Sequence, residues 1–319
     1  MTLIIAGHNL EKSISYGSTW CAQNSDTEDL PSMRCKGLYV AADSSITTPG
    51  TNGTRPILGE FRKIYAVPIK VWKPSFIELY FHSYQEVFLE SECFVAIAGS
   101  TLTAQHVLNL ISEHLGKIRI SYERDESYGA PGKYILIRHC QKNILNEGQG
   151  IDTWDEDMFT PHDYAGIVTA DVIAEIIEYS INEALSSARK YKLDHEALKG
   201  MYTEFAAGIH CPKTGAHKLF TFRMRDRLNA EDIIEVYAER QEIHEGEVAV
   251  LGMRNEFEAR AQTLLVDSIR AGTPPANEIF NFLNQAIDEV RQAGNSVIDR
   301  PSVLRKFIDG KLTTAQFQR

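Results

Sequence analysis

The sequence has little of what marks a secreted, membrane-spanning or nucleic-acid-binding protein. None of its apolar runs reaches the roughly 18 residues needed to cross a bilayer. Its first residues lack a cationic segment followed by a small-residue cleavage site, so we expect no signal peptide. Lys and Arg total 33 against 43 Asp and Glu, giving a net charge of -10. This balance argues against general binding to nucleic acid or anionic membranes. These absences predict a cytoplasmic protein with no nucleic-acid partner and no membrane partner.

Cysteine is also scarce, and its placement does not indicate a disulfide framework. The number is odd and the residues are scattered, which is typical of reduced thiols in a cytosolic protein. No pair has the spacing of zinc ligands, although His139-Cys140 and His210-Cys211 are adjacent pairs. We therefore expect no metal and no cofactor. The five cysteines are Cys21, Cys35, Cys93, Cys140 and Cys211.

The order of predicted elements favours a mixed α+β protein. Strands cluster in sequence, and amphipathic helices are predicted at 101–116, 169–191, 255–272 and 275–294. Clustered strands favour antiparallel sheets, and two pairs of helices can cover two outer faces. A four-layer α-β-β-α sandwich of two antiparallel sheets satisfies this order. We expect one domain, 1–319, with insertions at about 11–36, 74–90 and 117–163; the aromatic-rich 74–90 segment is an extra hairpin or a short helix.

The chain opens "MTLIIAGHNL", which predicts a buried strand from the second residue onward. Removal of Met1 would leave Thr2 with a hydroxyl and a free α-amine on one residue. An α-amine has a reference pKa of about 7.7–8.0, so part of it is neutral at pH 7 and can accept a proton. A hydroxyl activated by its own terminal amine is a known nucleophile arrangement. The structural alternative is that Thr2 is simply a strand-forming residue.

Such a nucleophile needs a cation to lower the hydroxyl pKa, a carboxylate to hold that cation, and a backbone N–H for the oxyanion. Asp43 near the end of "GLYVAADSSIT", Lys63 early in "RKIYAVPIKVW" and Gly99 at the end of "CFVAIAGS" are candidates. Each has a structural alternative: a turn cap, a solvated strand-edge lysine and a helix-entry glycine, respectively. Other cations compete with Lys63 for the same role, namely Lys36, Arg62 and Lys70.

The segments "YVAADSSIT", "RKIYAV" and "AIAGSTLTAQ", in that order behind an N-proximal Thr, resemble the β subunits of the proteasome and their bacterial relatives. Those relatives include the ATP-dependent ring protease subunit and the ancestral β-subunit group. The resemblance implies the N-terminal nucleophile (Ntn) hydrolase fold. It also implies Thr2 as nucleophile with its α-amine as base, Asp43 and Lys63 as the supporting ion pair, and Gly99 as the oxyanion donor.

The same resemblance implies a substrate pocket and an assembly. Ile97, Thr101 and Gln105 would line the pocket for the residue preceding the cut. The activity would be that of a threonine peptidase acting on peptide or protein substrates. The chain would assemble in a homo-oligomeric ring, with an ATP-dependent unfoldase as a candidate partner.

The sequence departs from the family pattern at two places. Met253 in "VLGMRNE" occupies the position of a usual serine, and "GNSVIDRPSV" offers Asn295 or Asp299 without the usual glycine pair. These departures keep two other hypotheses open. One is an inactive proteasome-like scaffold or regulator, and the other is an Ntn amidohydrolase acting on small amides.

Overall fold

The protein is described by a computed structural model covering residues 2–12, 33–50, 53–124, 132–186, 191, 193–230 and 233–319. Most of the predicted insertion at 11–36, including Cys21, lies outside the described residues, as does Met1. Within the described ranges, no helix has both the length and the apolar character needed to span a membrane.

A first sheet carries the strand that begins at Leu3. Strands and helices are numbered in chain order. The sheet contains, in spatial order, β12 (Val248–Gly252), β1 (Leu3–Lys12), β2 (Met33–Ala42), β13 (Ser302–Ile308) and β14 (Lys311–Gln318). Every neighbouring pair in this sheet is antiparallel. Strand β1 is therefore an interior strand of the sheet, paired on both sides.

A second, larger sheet contains a long hairpin and the return strands. Its spatial order is β11 (Ile234–Ile243), β10 (His217–Leu228), β9 (Thr203–His210), β6 (Tyr80–Gly99), β5 (Ile64–Ile77), β7 (Ile118–Glu123) and β8 (Lys133–Ile137). The predicted 74–90 segment forms the outer part of the β5–β6 hairpin. A separate two-stranded sheet pairs β3 (Ile46–Gly50) with β4 (Gly53–Leu58).

The prediction of two purely antiparallel sheets is wrong in one pair, because β5 and β7 run parallel. The helix that follows β6 runs back along the hairpin, and β7 then continues in the same direction as that helix. A strand formed in this way is antiparallel to β6 and hence parallel to β5. The architecture is accordingly mixed α+β, with one parallel pair in the larger sheet.

Six helices are described, and four of them match the predicted amphipathic segments. The other two, α2 and α4, are short and fall in segments that the periodicity did not mark. The helices are α1 (Thr101–Gly116), α2 (Ile144–Glu147), α3 (Ala170–Ser186), α4 (His195–Met201), α5 (Arg254–Ala271) and α6 (Pro275–Gln292).

The first half of β1, residues 3–7, is buried on both faces, which explains its unbroken run of apolar residues. Leu3 and Ile5 belong to a hydrophobic cluster with α5 and α6, whereas Ile4 and Ala6 belong to one that includes residues of both sheets. Successive side chains of a strand point to opposite faces, so both faces must be apolar here. A third cluster joins the larger sheet to α1 and α3. Each large apolar side chain buried in this way contributes about 1.5–3 kcal/mol.

Candidate active site

Thr2, Lys63 and Asp43 meet at the start of β1. The Lys63 ammonium donates to Thr2 Oγ1 over 3.0 Å and to Asp43 Oδ1 over 2.8 Å. All three side chains belong to buried residues. The structure therefore brings together a hydroxyl, a cation and a carboxylate that are separated by as many as 61 positions in sequence.

Strand pairing places the carboxylate beside the threonine. Ile4 lies opposite Ala42 in the antiparallel β1–β2 register. Leu3, which precedes Ile4, is therefore a neighbour of Asp43, which follows Ala42. The backbone N–H of Leu3 donates to Asp43 Oδ1 over 2.9 Å, and that of Ser45 donates to Oδ2 over 3.0 Å. With Lys63, these donors satisfy both carboxylate oxygens. The carboxylate consequently has a defined orientation toward the lysine.

Lys63 is held at the entrance to β5. Its carbonyl accepts the N–H of Ile97 over 2.9 Å, which ties it to the end of β6. Burial lowers the pKa of the Lys63 ammonium, and Asp43 opposes this effect both by its charge and by its hydrogen bond. Because a buried charge without its partner is costly, the pair depends on both members. The ion pair thus fixes the Lys63 ammonium next to Thr2 Oγ1.

Gly99 provides the turn from β6 into α1. Its φ of +115° belongs to the region that favours glycine, and an added Cβ would lie 2.3 Å from the Tyr202 carbonyl oxygen. The next residue, Ser100, donates its N–H to that same carbonyl over 2.9 Å. No other residue type fits this close approach without displacing the backbone. Gly99 therefore brings its backbone to the wall of the cleft next to Thr2.

A second glycine, Gly252, lies against the backbone carbonyl of Thr2. Gly252 has φ +86°, and an added Cβ would lie 1.9 Å from the Thr2 carbonyl oxygen. That oxygen accepts the N–H of Met253 over 2.9 Å. Glu204, a buried residue, accepts the Gly252 N–H over 2.8 Å and the Tyr202 hydroxyl over 3.2 Å. A carboxylate therefore braces the turn that holds Thr2.

Sequence reasoning missed Glu204. The available signal was a charged residue inside the apolar strand "TEFAAGIH", which is unusual unless the charge has buried partners. Its ion-pair partners are Arg223 at 3.9 Å and Arg254 at 4.0 Å. Both come from other elements, and no spacing in the sequence reveals them.

A cleft of about 600 Å3 opens beside Thr2. This volume lies within the range of about 300–1,000 Å3 that is common for small-molecule sites. Lys63 and Gly99 line it, and so do two of the three predicted substrate-binding residues, Ile97 and Thr101. The third, Gln105, is exposed, hydrogen-bonds to Asn109 over 3.0 Å and does not line this cleft. Other wall residues are Ile46, Phe61, Lys199 and Tyr202.

The positions at which the sequence departs from the proteasome pattern have other contacts. Met253 is buried, and its backbone holds the Thr2 carbonyl, as described above. The Asp299 carboxylate pairs with Arg291 and accepts the Arg300 N–H, while its carbonyl accepts the Ser44 N–H over 3.2 Å. Asn295 is exposed in the turn after α6. Asp299 therefore supports the segment that follows Asp43 through its backbone.

Comparison with known proteins does not assign a family. No family model matches the chain, and no curated protein matches it. One solved structure to which it is similar is Anbu (ancestral beta-subunit) from Yersinia bercovieri. That structure is 12% identical with a TM-score of 0.47, over 98% of this chain and 86% of that chain.

The prediction that this chain is a bacterial proteasome β-subunit-like member of the Ntn hydrolases is therefore wrong as a family assignment. A likeness at this identity and score establishes neither family nor activity. The segments that suggested the family are short, and none of them is specific on its own. Any function assigned to the cleft has to rest on its own geometry.

Proposed function

We propose that the protein is a threonine peptidase in which Thr2, freed by removal of Met1, attacks the substrate carbonyl. The observation that carries this proposal is the 3.0 Å contact between the Lys63 ammonium and Thr2 Oγ1, with Asp43 holding the lysine. A cation at that distance stabilises the alkoxide form of the hydroxyl and so favours its loss of a proton. The cleft beside Oγ1 leaves room for a peptide.

The proposed reaction uses the terminal residue as its own base. The neutral α-amine of Thr2 takes the Oγ1 proton as the oxygen bonds to the carbonyl carbon. The resulting oxyanion is stabilised by the Gly99 N–H. The protonated α-amine then gives its proton to the departing amine as the C–N bond breaks, leaving an ester on Oγ1. Water, deprotonated by the same amine, hydrolyses the ester and restores the hydroxyl.

Substrate selection belongs to the walls of the cleft. Ile97 and Thr101 lie on them and are proposed to contact the residue that precedes the cut. Gln105 lies one helical turn further along α1 than Thr101, on an exposed part of the helix. In this proposal it contacts only a substrate that extends beyond the cleft.

A covalent probe tests the proposal. The purified chain would be treated with a peptide epoxyketone or a β-lactone, and its intact mass and N-terminal peptide would be measured. We expect an adduct on a chain that starts at Thr2. Thr2→Ser should retain the adduct, because it keeps the hydroxyl and the amine, whereas Thr2→Ala should lose it. Thr263→Ala, an exposed threonine of α5, is the matched control and should label like the parent.

Two outcomes contradict the peptidase proposal. A chain that keeps Met1 in cells, or one that lacks Met1 and forms no adduct, favours an inactive scaffold or regulatory subunit. An adduct accompanied by hydrolysis of small amides alone, with no cleavage of peptides, favours an amidohydrolase.

The proposal extends to architecture and assembly. The clusters that join α1 and α3 to the larger sheet, the two sheets to each other, and α5 and α6 to the smaller sheet support a four-layer α-β-β-α sandwich. We propose a homo-oligomeric ring in the cytoplasm, because a peptidase of broad specificity needs to be enclosed there. An unfoldase would then feed the ring. A native mass equal to that of a single chain would contradict the ring.

A further inference from the structure

Three potential metal ligands from two separate segments of the chain meet at the far end of α1. His114 lies in the last turn of that helix, and His139 and Cys140 follow β8. One ligand atom from each of the three residues lies within 4.8 Å of the others. The group is separated from the start of α1, next to the cleft, by about 20 Å of helix. It is therefore distinct from the candidate active site.

The hydrogen bond made by His114 Nδ1 leaves Nε2 of the same ring available to bind a metal. The Ser180 hydroxyl donates to the Ile176 carbonyl over 2.6 Å, so its oxygen accepts from His114 Nδ1 over 2.8 Å. The proton of the neutral ring is then on Nδ1, and the lone pair is on Nε2. An imidazole fixed in this way by its other nitrogen is the usual arrangement of a metal-bound histidine.

That lone pair points to a cysteine at a suitable distance. His114 Nε2 lies 3.7 Å from Cys140 Sγ. Tetrahedral zinc, with bonds of about 2.0–2.1 Å to nitrogen and 2.3 Å to sulfur, holds these two atoms about 3.6 Å apart. The pair therefore already has nearly the separation that a shared zinc ion requires.

His139 supplies the third ligand. Its Nδ1 is buried and has no hydrogen-bond partner among the described residues. Its Nε2 lies 3.5 Å from Glu113 Oε1, an oxygen that also accepts from the Lys117 ammonium over 2.9 Å.

We infer that His114, His139 and Cys140 form a zinc site that fastens the segment after β8 to helices α1 and α3. A thiolate with two imidazoles is a donor set that suits zinc, and the open fourth position is left to water. The adjacent pair His139-Cys140 showed no zinc spacing in the sequence because the third ligand comes from a different element.

Zinc content and cobalt substitution test this inference. The full chain, loaded with zinc and dialysed, should retain about one ion at this site. Replacement by Co2+ should produce the near-ultraviolet absorption of a thiolate–cobalt bond. Cys140→Ser should abolish that absorption and lower the zinc affinity at least about tenfold, and Ser180→Ala should lower the affinity about 10–100-fold. Cys140 is exposed, so its replacement should leave the fold intact.

Matched controls separate this group from another histidine pair. His210 and His217 lie near Asp309 in a second group, and Cys211 is adjacent to His210. Cys211→Ser should therefore keep the cobalt absorption, and so should His106→Gln, an exposed histidine of α1. Absence of the absorption in the parent chain would show that the thiol merely hydrogen-bonds to His114. Its persistence in Cys140→Ser would show that a different thiolate binds the cobalt, and either result would overturn the inference.

Discussion

At the scale of single residues, Lys63 is the group on which the proposed chemistry depends. Burial lowers the pKa of its ammonium, and Asp43 raises it. The lysine must hold its proton to stabilise the Thr2 alkoxide, whereas the α-amine must lose its proton to act as base. Activity should therefore increase with pH as the amine deprotonates, at roughly pH 7–8, and decline again as Lys63 deprotonates.

The Asp43→Asn variant tests this assignment. It removes the negative charge that favours the protonated lysine, so the pKa of Lys63 should fall further. We expect the alkaline limb of the labelling rate to move to lower pH, and the rate at pH 7 to drop at least about tenfold. The measurement is the rate of epoxyketone modification from pH 5 to 10.

Asp288→Asn is the matched control for that experiment. Its carboxylate pairs with Arg300, and neither residue lines the cleft. The control should retain the parent profile. If the alkaline decline of the labelling rate occurs at the same pH in Asp43→Asn as in the parent chain, a group other than Lys63 causes that decline.

At the scale of elements, the junction between β6 and α1 positions the wall of the site. Gly99→Ala should destabilise the protein by about 2–3 kcal/mol, because its φ is positive and the new Cβ would meet the Tyr202 carbonyl. Any chain that still folds should label more slowly, since the Gly99 N–H is displaced. Urea denaturation and the labelling rate are the two measurements.

Gly116→Ala, at the other end of α1, makes the same chemical change without the clash. Nothing lies within 4 Å of a Cβ added there, and its φ is not positive. The control should be neutral or stabilised by about 0.5–1 kcal/mol. Equal effects of the two substitutions would refute the steric argument for Gly99.

At the scale of the whole molecule, stability depends on the cluster that contains residues of both sheets. Phe94 is fully buried there, and its ring meets Phe307 edge-on with centroids 5.6 Å apart. Phe94→Ala should cost about 3–5 kcal/mol, because it removes this contact and leaves a cavity. Phe317→Ala, at a side chain that is 57% exposed, should change the free energy of unfolding by less than about 0.5 kcal/mol. Comparable losses in the two variants would contradict this account.

Much of the element order could be predicted from hydrophobic periodicity. The four long helices and the strand beginning at Leu3 carry strong patterns of this kind. The parallel pairing of β5 with β7 could not, because it depends on the direction in which α1 returns along the hairpin. The short helix α4 and strand β14 were missed as well, since α4 buries none of its residues and β14 is largely exposed.

The sequence by itself determined which chemistry is available: a threonine at position 2, a lysine, a carboxylate and a glycine, each at a predicted strand end. Only the tertiary structure decided which of them meet, because hydrogen-bonding distance depends on strand register and sheet packing. It placed Lys63 between Thr2 and Asp43, left Gln105 outside the cleft, and brought in Glu204. For the same reason, it revealed that His114 faces Cys140, a contact between two elements that no local spacing encodes.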